Sequence, residues 1–328
     1  MSVAGFIVVA FMLTMYVLLD GYDLGVAAIA PMIARSDRER SAAMASIGPF
    51  WNGNEVWLIA AGGVLFALFP AAYAASFSGF YLPFVVVLWL LMFRGIALEL
   101  REHFPSELWH QFWDVAFSAS SVLLIFLFGL ALGNLVRGVP VDAAGYFAGT
   151  FAFLLNPYAV LVGLFAVATL AMHGAGFAAM RIEGELGARS LAFLARVWWA
   201  VLALYLAVTV LTFAMHPPLA APWLVAFPVL SLLMLVAARR AAAMAQAVRT
   251  FALSCAFITL LLVATASTIF PYLLPGFPAR NSGISIFQPA PSATALSCAL
   301  VVSIVGIVAV AIYSPMVWRR MGGKIRVE

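Results

Sequence analysis

Long apolar runs recur along this chain from Val3 to Tyr313, each long enough for a helix to cross a hydrocarbon core of about 30 Å, and charge, Pro and Gly gather between them. A backbone in hydrocarbon must satisfy its own N–H and C=O groups, which leaves helices or closed barrels. The runs are continuous and do not alternate with period two, so the pattern argues against a barrel and predicts an all-α, polytopic membrane bundle. Composition agrees: 66% of the 328 residues are hydrophobic and 9% charged, too little polar surface to clothe a soluble globule.

Breaking the chain at its Pro, Gly and charge clusters predicts about nine spanning helices in one integral domain over 1–328. They fall near residues 3–34, 42–69, 77–100, 115–136, 153–180, 191–215, 223–238, 251–274 and 293–318. The first run has no basic region before it and no small-residue cleavage site leading to a polar domain, so it reads as a spanning helix and not as a signal peptide. Of the 17 Lys and Arg, all but Arg94, Arg137 and Arg280 lie in connections on one side, which predicts the N-terminus outside and the C-terminus inside a plasma membrane. The longest connection, from Pro275 to Ser292, is too short to house a separate active site. Chemistry is therefore expected within the membrane or on a partner.

Ionisable residues at membrane depth are costly, and they are kept where they have a partner or a path to serve. Asp20 and Asp23 in LLDGYDLGV lie three residues apart and so on one helix face, with Tyr16 one turn earlier. The stretch FWNGNEVWLIAAGG brings Asn52, Asn54 and Glu55 between Trp51 and Trp57. Helical rise puts Asp23 roughly 18 Å above Arg35 and Glu55 about 22 Å above Arg40, a comparable depth. Arg94 lies roughly 10 Å above Arg101, cannot readily shed its proton, and is expected to pair with Glu55, Glu99 or one of the two Asp residues. Pairing with Glu99 reads first as structural. Three acids facing one membrane-depth base read as a proton-conducting inlet, with at least one acid protonated or hydrated.

Other chemistry is sparse. His173 in AMHGAGF stands alone inside a helix without a second axial candidate, so it reads as an interhelical hydrogen-bonding residue before a haem ligand. No His, Cys, Asp and Glu have metal-site spacing, and no metal is expected. Cys255 and Cys298 lie in apolar runs and form no CxxC pattern. No Walker loop, dinucleotide fingerprint or nucleic-acid motif is present. Gly21 and Gly25 at helical spacing mark a face where another helix can approach closely.

Five strings in order, LLDGYDLGV, SIGPFWNGNEVWLIAAGGVLFALFPAAYAASFSGFYLP, FRGIALELR, GNLVRGVP and LLNPYAVLVGL, resemble subunit II of the cytochrome bd quinol oxidases, including the cyanide-insensitive branch. They cover the N-terminal half; the C-terminal half agrees in hydropathy and in its basic tail. The resemblance implies a nine-helix subunit in a bacterial or archaeal plasma membrane, paired with a haem-bearing subunit I. It implies electrogenic oxidation of ubiquinol or menaquinol and reduction of dioxygen to water, without proton pumping. Haem b and haem d are expected in subunit I, with no iron ligand from this chain. A structural quinone, small accessory membrane subunits and lipids are further associations within the family.

Carried over by residue, Asp20 and Asp23 match the family's DG(F/Y)D pair, and Trp51, Gly53 and Trp57 its packing motif. Asn52 stands where some members carry an Asp implicated in proton uptake, so the acid role is expected to pass to Glu55, three residues on and on roughly the same face. Two other classes would keep such acids. A secondary transporter would show two related halves with broken helices, which this sequence lacks, and a purely structural subunit would leave every acid paired and inert.

Overall fold

The computed structural model describes residues 1–142, 145–217, 222–288 and 293–327, and the part of the predicted 275–292 connection beyond residue 288 lies outside them. Its helices are α1 (Ser2–Ile33), α2 (Asp37–Ile47), α3 (Trp51–Leu68), α4 (Pro70–Gly79), α5 (Tyr81–Leu100), α6 (Glu107–Arg137), α7 (Phe151–Leu154), α8 (Pro157–Arg181), α9 (Gly184–Met215), α10 (Ala226–Ala243), α11 (Ala247–Ile269) and α12 (Ala293–Met321). A small antiparallel hairpin, β1 (Tyr272–Leu274) with β2 (Ile284–Ser285), caps the outer end. Eight helices among the described residues are long and apolar enough to span a membrane. The 18-residue α3, about 27 Å long, joins them, although Asn52, Asn54 and Glu55 make its first turn polar.

Several predicted bounds are corrected. The run 42–69 is not one helix: it breaks between Ile47 and Trp51, where Pro49 supplies no N–H to the ladder. The run 77–100 likewise divides at Phe80 between α4 and α5. The helix expected over 251–274 stops at Ile269, before Pro271, and its last residues form β1. The one expected over 223–238 begins with a 3-10 turn at Pro222–Val225 and runs on to Ala243. Asn156 shows how sequence sets a start: its side chain caps α8 by accepting from Ala159 N at 3.0 Å, and Pro157 takes the first helical position.

The second half of α1 is sheathed on all sides, from Asp20 through Ala30, and packs against α3, α6, α8 and α11. Its closest approach is to α8. A Cβ on Gly25 would lie 2.0 Å from the Leu170 carbonyl oxygen, and one on Gly174 would lie 2.2 Å from the Gly25 carbonyl carbon. Only glycine at both positions lets the two backbones touch.

A second link joins two of the motifs read from the sequence. Asn134 near the end of α6 donates to the Leu154 carbonyl at 2.8 Å and accepts from Asn156 at 2.9 Å, so GNLVRGVP and LLNPYAVLVGL meet through their asparagines. On the basic side, Arg101 is fully buried by Asp114 at 2.6 Å, Asp37 at 2.5 Å and Ser41 at 2.8 Å, which ties α2 to the α5–α6 turn. Partial burial pushes the Asp37 carboxyl up, but the Arg101 hydrogen bond and the charges of Arg101 and His110 outweigh it and hold it below the usual range.

Candidate functional site

The acids of α1 meet their cation across the bundle. Arg94 of α5 grips Asp20 with both terminal nitrogens, Nη2 to Oδ1 at 2.6 Å and Nη1 to Oδ2 at 3.0 Å, with Arg94 1% and Asp20 0% exposed. This bidentate fork is the arrangement a guanidinium makes best and a lysine cannot copy. The same Nη2 lies 3.9 Å from Asp23 Oδ2, so one cation is shared between two carboxylates.

Asp23 leans instead on Asn54 of α3, whose Nδ2 donates to Asp23 Oδ2 at 2.7 Å and to the Tyr22 hydroxyl at 2.8 Å. The other oxygen, Asp23 Oδ1, is buried with no hydrogen-bond partner, as is the Tyr16 hydroxyl one turn before Asp20. Burial without a partner is unfavourable for an anion, and one guanidinium does not balance Asp20, Asp23 and Glu55 together. The cluster therefore has room for a proton.

The remaining expected residues fall on different sides of this cluster. Glu55 is half-buried, with no hydrogen bond or ion pair among the described residues, while Asn52 and Gly53 are exposed on the outer face of α3. The helix period accounts for the split: Asn54 turns inward, Asn52 two residues back turns outward, and Glu55 lies between. Trp57 is buried against Met12, Tyr16 and Ala61, and Trp51 lies against Gly95. Gly53 was expected to serve packing, yet a Cβ there would meet nothing within 4 Å in this chain.

Glu99 is a clear correction. Five residues separate it from Arg94, which places it well around the helix from the guanidinium, and it is exposed while Arg94 pairs inward.

His173 has both ring nitrogens engaged, Nδ1 with Ser254 Oγ at 2.7 Å and Nε2 with the Leu18 carbonyl at 3.0 Å. It clamps α8, α11 and α1 together and has no nitrogen free for iron, so the residues do not fit an axial haem site. A groove of about 570 Å³ between α5 and α6, lined by Leu90, Phe93, Phe112 and Val115, has no acid in its wall. Its polar members are turned aside, Ser120 to the Ala116 carbonyl at 2.6 Å and Gln111 to Glu107 at 3.2 Å, so it suits a hydrocarbon chain better than a quinone ring.

Sequence reasoning missed Tyr22, the Asn134–Asn156 link and the buried Arg101. The Asn-Pro pair at Asn156 signals the helix cap. Nothing in the sequence signals that Asn134 joins it.

Comparison with known proteins agrees with this architecture. A family model described as cytochrome bd terminal oxidase subunit II matches residues 1–321. Cytochrome bd-I ubiquinol oxidase subunit 2 of Escherichia coli (strain K12) is 30% identical over 357 residues, covering 98% of this chain and 94% of that protein. Cytochrome bd ubiquinol oxidase subunit 2 of Bacillus subtilis (strain 168) is 36% identical over 185 residues, 56% of this chain and 55% of the relative. A chain of the bd oxidase from Geobacillus thermodenitrificans superposes with a TM-score of 0.80 over 98% of both chains, at 18% identity, and so shares the fold.

Proposed function

The chain belongs to the cytochrome bd terminal oxidase subunit II family, and from that premise we propose that it is the half of a quinol:dioxygen oxidoreductase that ligates no haem, seats the haem-bearing subunit I, and passes protons toward it from the cytoplasm. Membership makes it a multi-pass plasma-membrane subunit of an oxidoreductase complex whose partner is a subunit I. Haem and quinol supply the redox chemistry of such a complex. This chain's side chains hold and move protons.

The observation that carries the proposal is the position of Glu55. It stands between a sealed cluster, in which Asp20 is locked by Arg94 and Asp23 keeps one oxygen unpaired, and a face of α3 that no described residue covers. Val56, Ile59 and Phe66 are exposed along α3, and the neighbouring α12 exposes Val301, Val302 and Val305. Gly63 and Gly306 lie along these two helices with open space where a Cβ would be, which lets another helix approach. Subunit I docks there, and Glu55 hands a proton across from water at the cytoplasmic end of α3. Asp23 accepts and returns the proton, and Arg94 with Asp20 keeps the local charge fixed. The cationic connections at the foot of the bundle set the inward orientation.

Gentle purification of the tagged chain, followed by reduced-minus-oxidised absorbance, tests this assignment. Haem bands with a co-purifying second large membrane subunit are the expected result. A colourless single-chain preparation contradicts it.

A further inference from the structure

The two cations expected on the outer side of the bundle, Arg137 and Arg280, are both without an acid among the described residues. Arg137, the last residue of α6, lies in the notch between the Phe153 and Phe277 rings, 4.5 and 4.3 Å from their centroids. It makes no hydrogen bond among the described residues, and its Nη1 is buried with no partner. Arg280, in the turn after β1, reaches only neutral acceptors, the Thr268 carbonyl and, at 3.4 Å, His216 Nδ1. His216 in turn donates from Nε2 to the Val136 carbonyl at 2.8 Å, beside Arg137. That tautomer leaves Nδ1 free to accept from Arg280, and burial, with the Arg280 charge, holds the imidazole below its ordinary value and so neutral.

The hairpin brings the two arginines to one corner: Gly138 bends the chain at the end of α6, Val139 N donates to the Pro275 carbonyl at 2.8 Å, and Phe277 N donates to the Val139 carbonyl at 3.0 Å. Neither Arg137 nor Arg280 forms an ion pair among the described residues; of the buried arginines, Arg94 and Arg101 do, and Arg181 is bonded instead to the Met321 and Gly323 carbonyls. Positive residues are uncommon on the outer side of a membrane protein, and a guanidinium fork with unspent donors at the level of the headgroups matches the oxygens of a phosphate. The rings of Phe153 and Phe277 pack on the Arg137 guanidinium and offer it no acceptor oxygen, so its N–H donors keep their hydrogen-bonding capacity.

We propose that Arg137 and Arg280, held by Phe277 and His216, form a seat on the outer face for a phosphate-bearing anion, supplied either by a phospholipid headgroup or by free phosphate.

The test uses the intact, delipidated oxidase complex and native mass spectrometry, titrating phosphatidylglycerol, phosphatidylcholine or inorganic phosphate into wild type and into Arg137→Gln and Arg137→Gln/Arg280→Gln variants. The Arg137 side chain makes no hydrogen bond among the described residues, so the single variant keeps the fold even where loss of Arg280 disturbs the hairpin. Phosphatidylglycerol bound at least about tenfold more weakly by the variants, with haem and subunit I content unchanged, supports the seat and assigns a lipid source. Inorganic phosphate that binds alone, or displaces the lipid, with the same dependence on Arg137 supports the seat and assigns a free anion. Equal binding of all three probes by wild type and variants overturns the proposal. So does loss of subunit I from Arg137→Gln with lipid retention unchanged, since a partner carboxylate then fills the role.

Discussion

Replacing Arg94 with Gln leaves Asp20, which is 0% exposed, without the two charged hydrogen bonds at 2.6 and 3.0 Å that now hold it, and leaves Asp23 without the cation 3.9 Å from its Oδ2. Breaking a buried pair by removing one partner costs roughly 3–5 kcal/mol, because the remaining charge is stranded, and this fork is both bidentate and sealed. That loss lowers the ratio of folded to unfolded protein by roughly two to four powers of ten. Unfolding in mixed detergent micelles, followed by haem absorbance of the complex, measures it. Asp20→Asn combined with Arg94→Gln should lose less than Arg94→Gln alone, because the pair is then removed together. Arg94→Lys should fall between, keeping the charge and losing the fork. If the double variant loses the sum of the two single losses, Arg94 and Asp20 are not coupled and the charge bookkeeping at the site is wrong.

Three further outcomes follow from the packing. Gly25→Ala forces a methyl to within 2.0 Å of the Leu170 carbonyl oxygen, so α1 and α8 must part; a loss of about 1–3 kcal/mol or more is expected from thermal unfolding of the complex. His173→Leu should leave haem content and band positions unchanged while unfolding shifts by about 1–3 kcal/mol, since both ring nitrogens serve as interhelical links. The Asp37 carboxyl is held below its usual range by Arg101 and His110, so its stabilising contribution is complete at neutral pH and is lost as pH falls through the depressed folded value. Acid should therefore loosen α2 in hydrogen exchange, and Asp37→Asn should show that loosening already at neutral pH.

The approximate number of helices was legible because apolar length sets a crossing, while the clustering of Arg and Lys sets the direction expected of each. The breaks at Pro49 and Phe80 were harder to read, since an apolar run continues through each and only the local backbone ends. Within the site, the requirement for a carboxylate opposite Arg94 came from the expense of an unpaired buried cation, but which carboxylate could not. Asp20 lies 74 residues away, on a helix that α5 reaches through the Arg94 side chain, whereas Glu99 is near in sequence and on the wrong face. The same limit applied to α3, where adjacent positions separate Asn54, turned to Asp23, from the half-buried Glu55. Spacing gave the set of polar residues. Packing of three helices chose among them.

In the proposed path Glu55 is the acid through which protons leave water for the haem-bearing partner. Oxygen consumption and proton uptake should be measured together for Glu55→Gln in the reconstituted complex, normalised to haem content. Both rates falling in step by at least about tenfold, with haem and subunit I retained, is the predicted result. Unchanged rates in a variant with full haem content would contradict it.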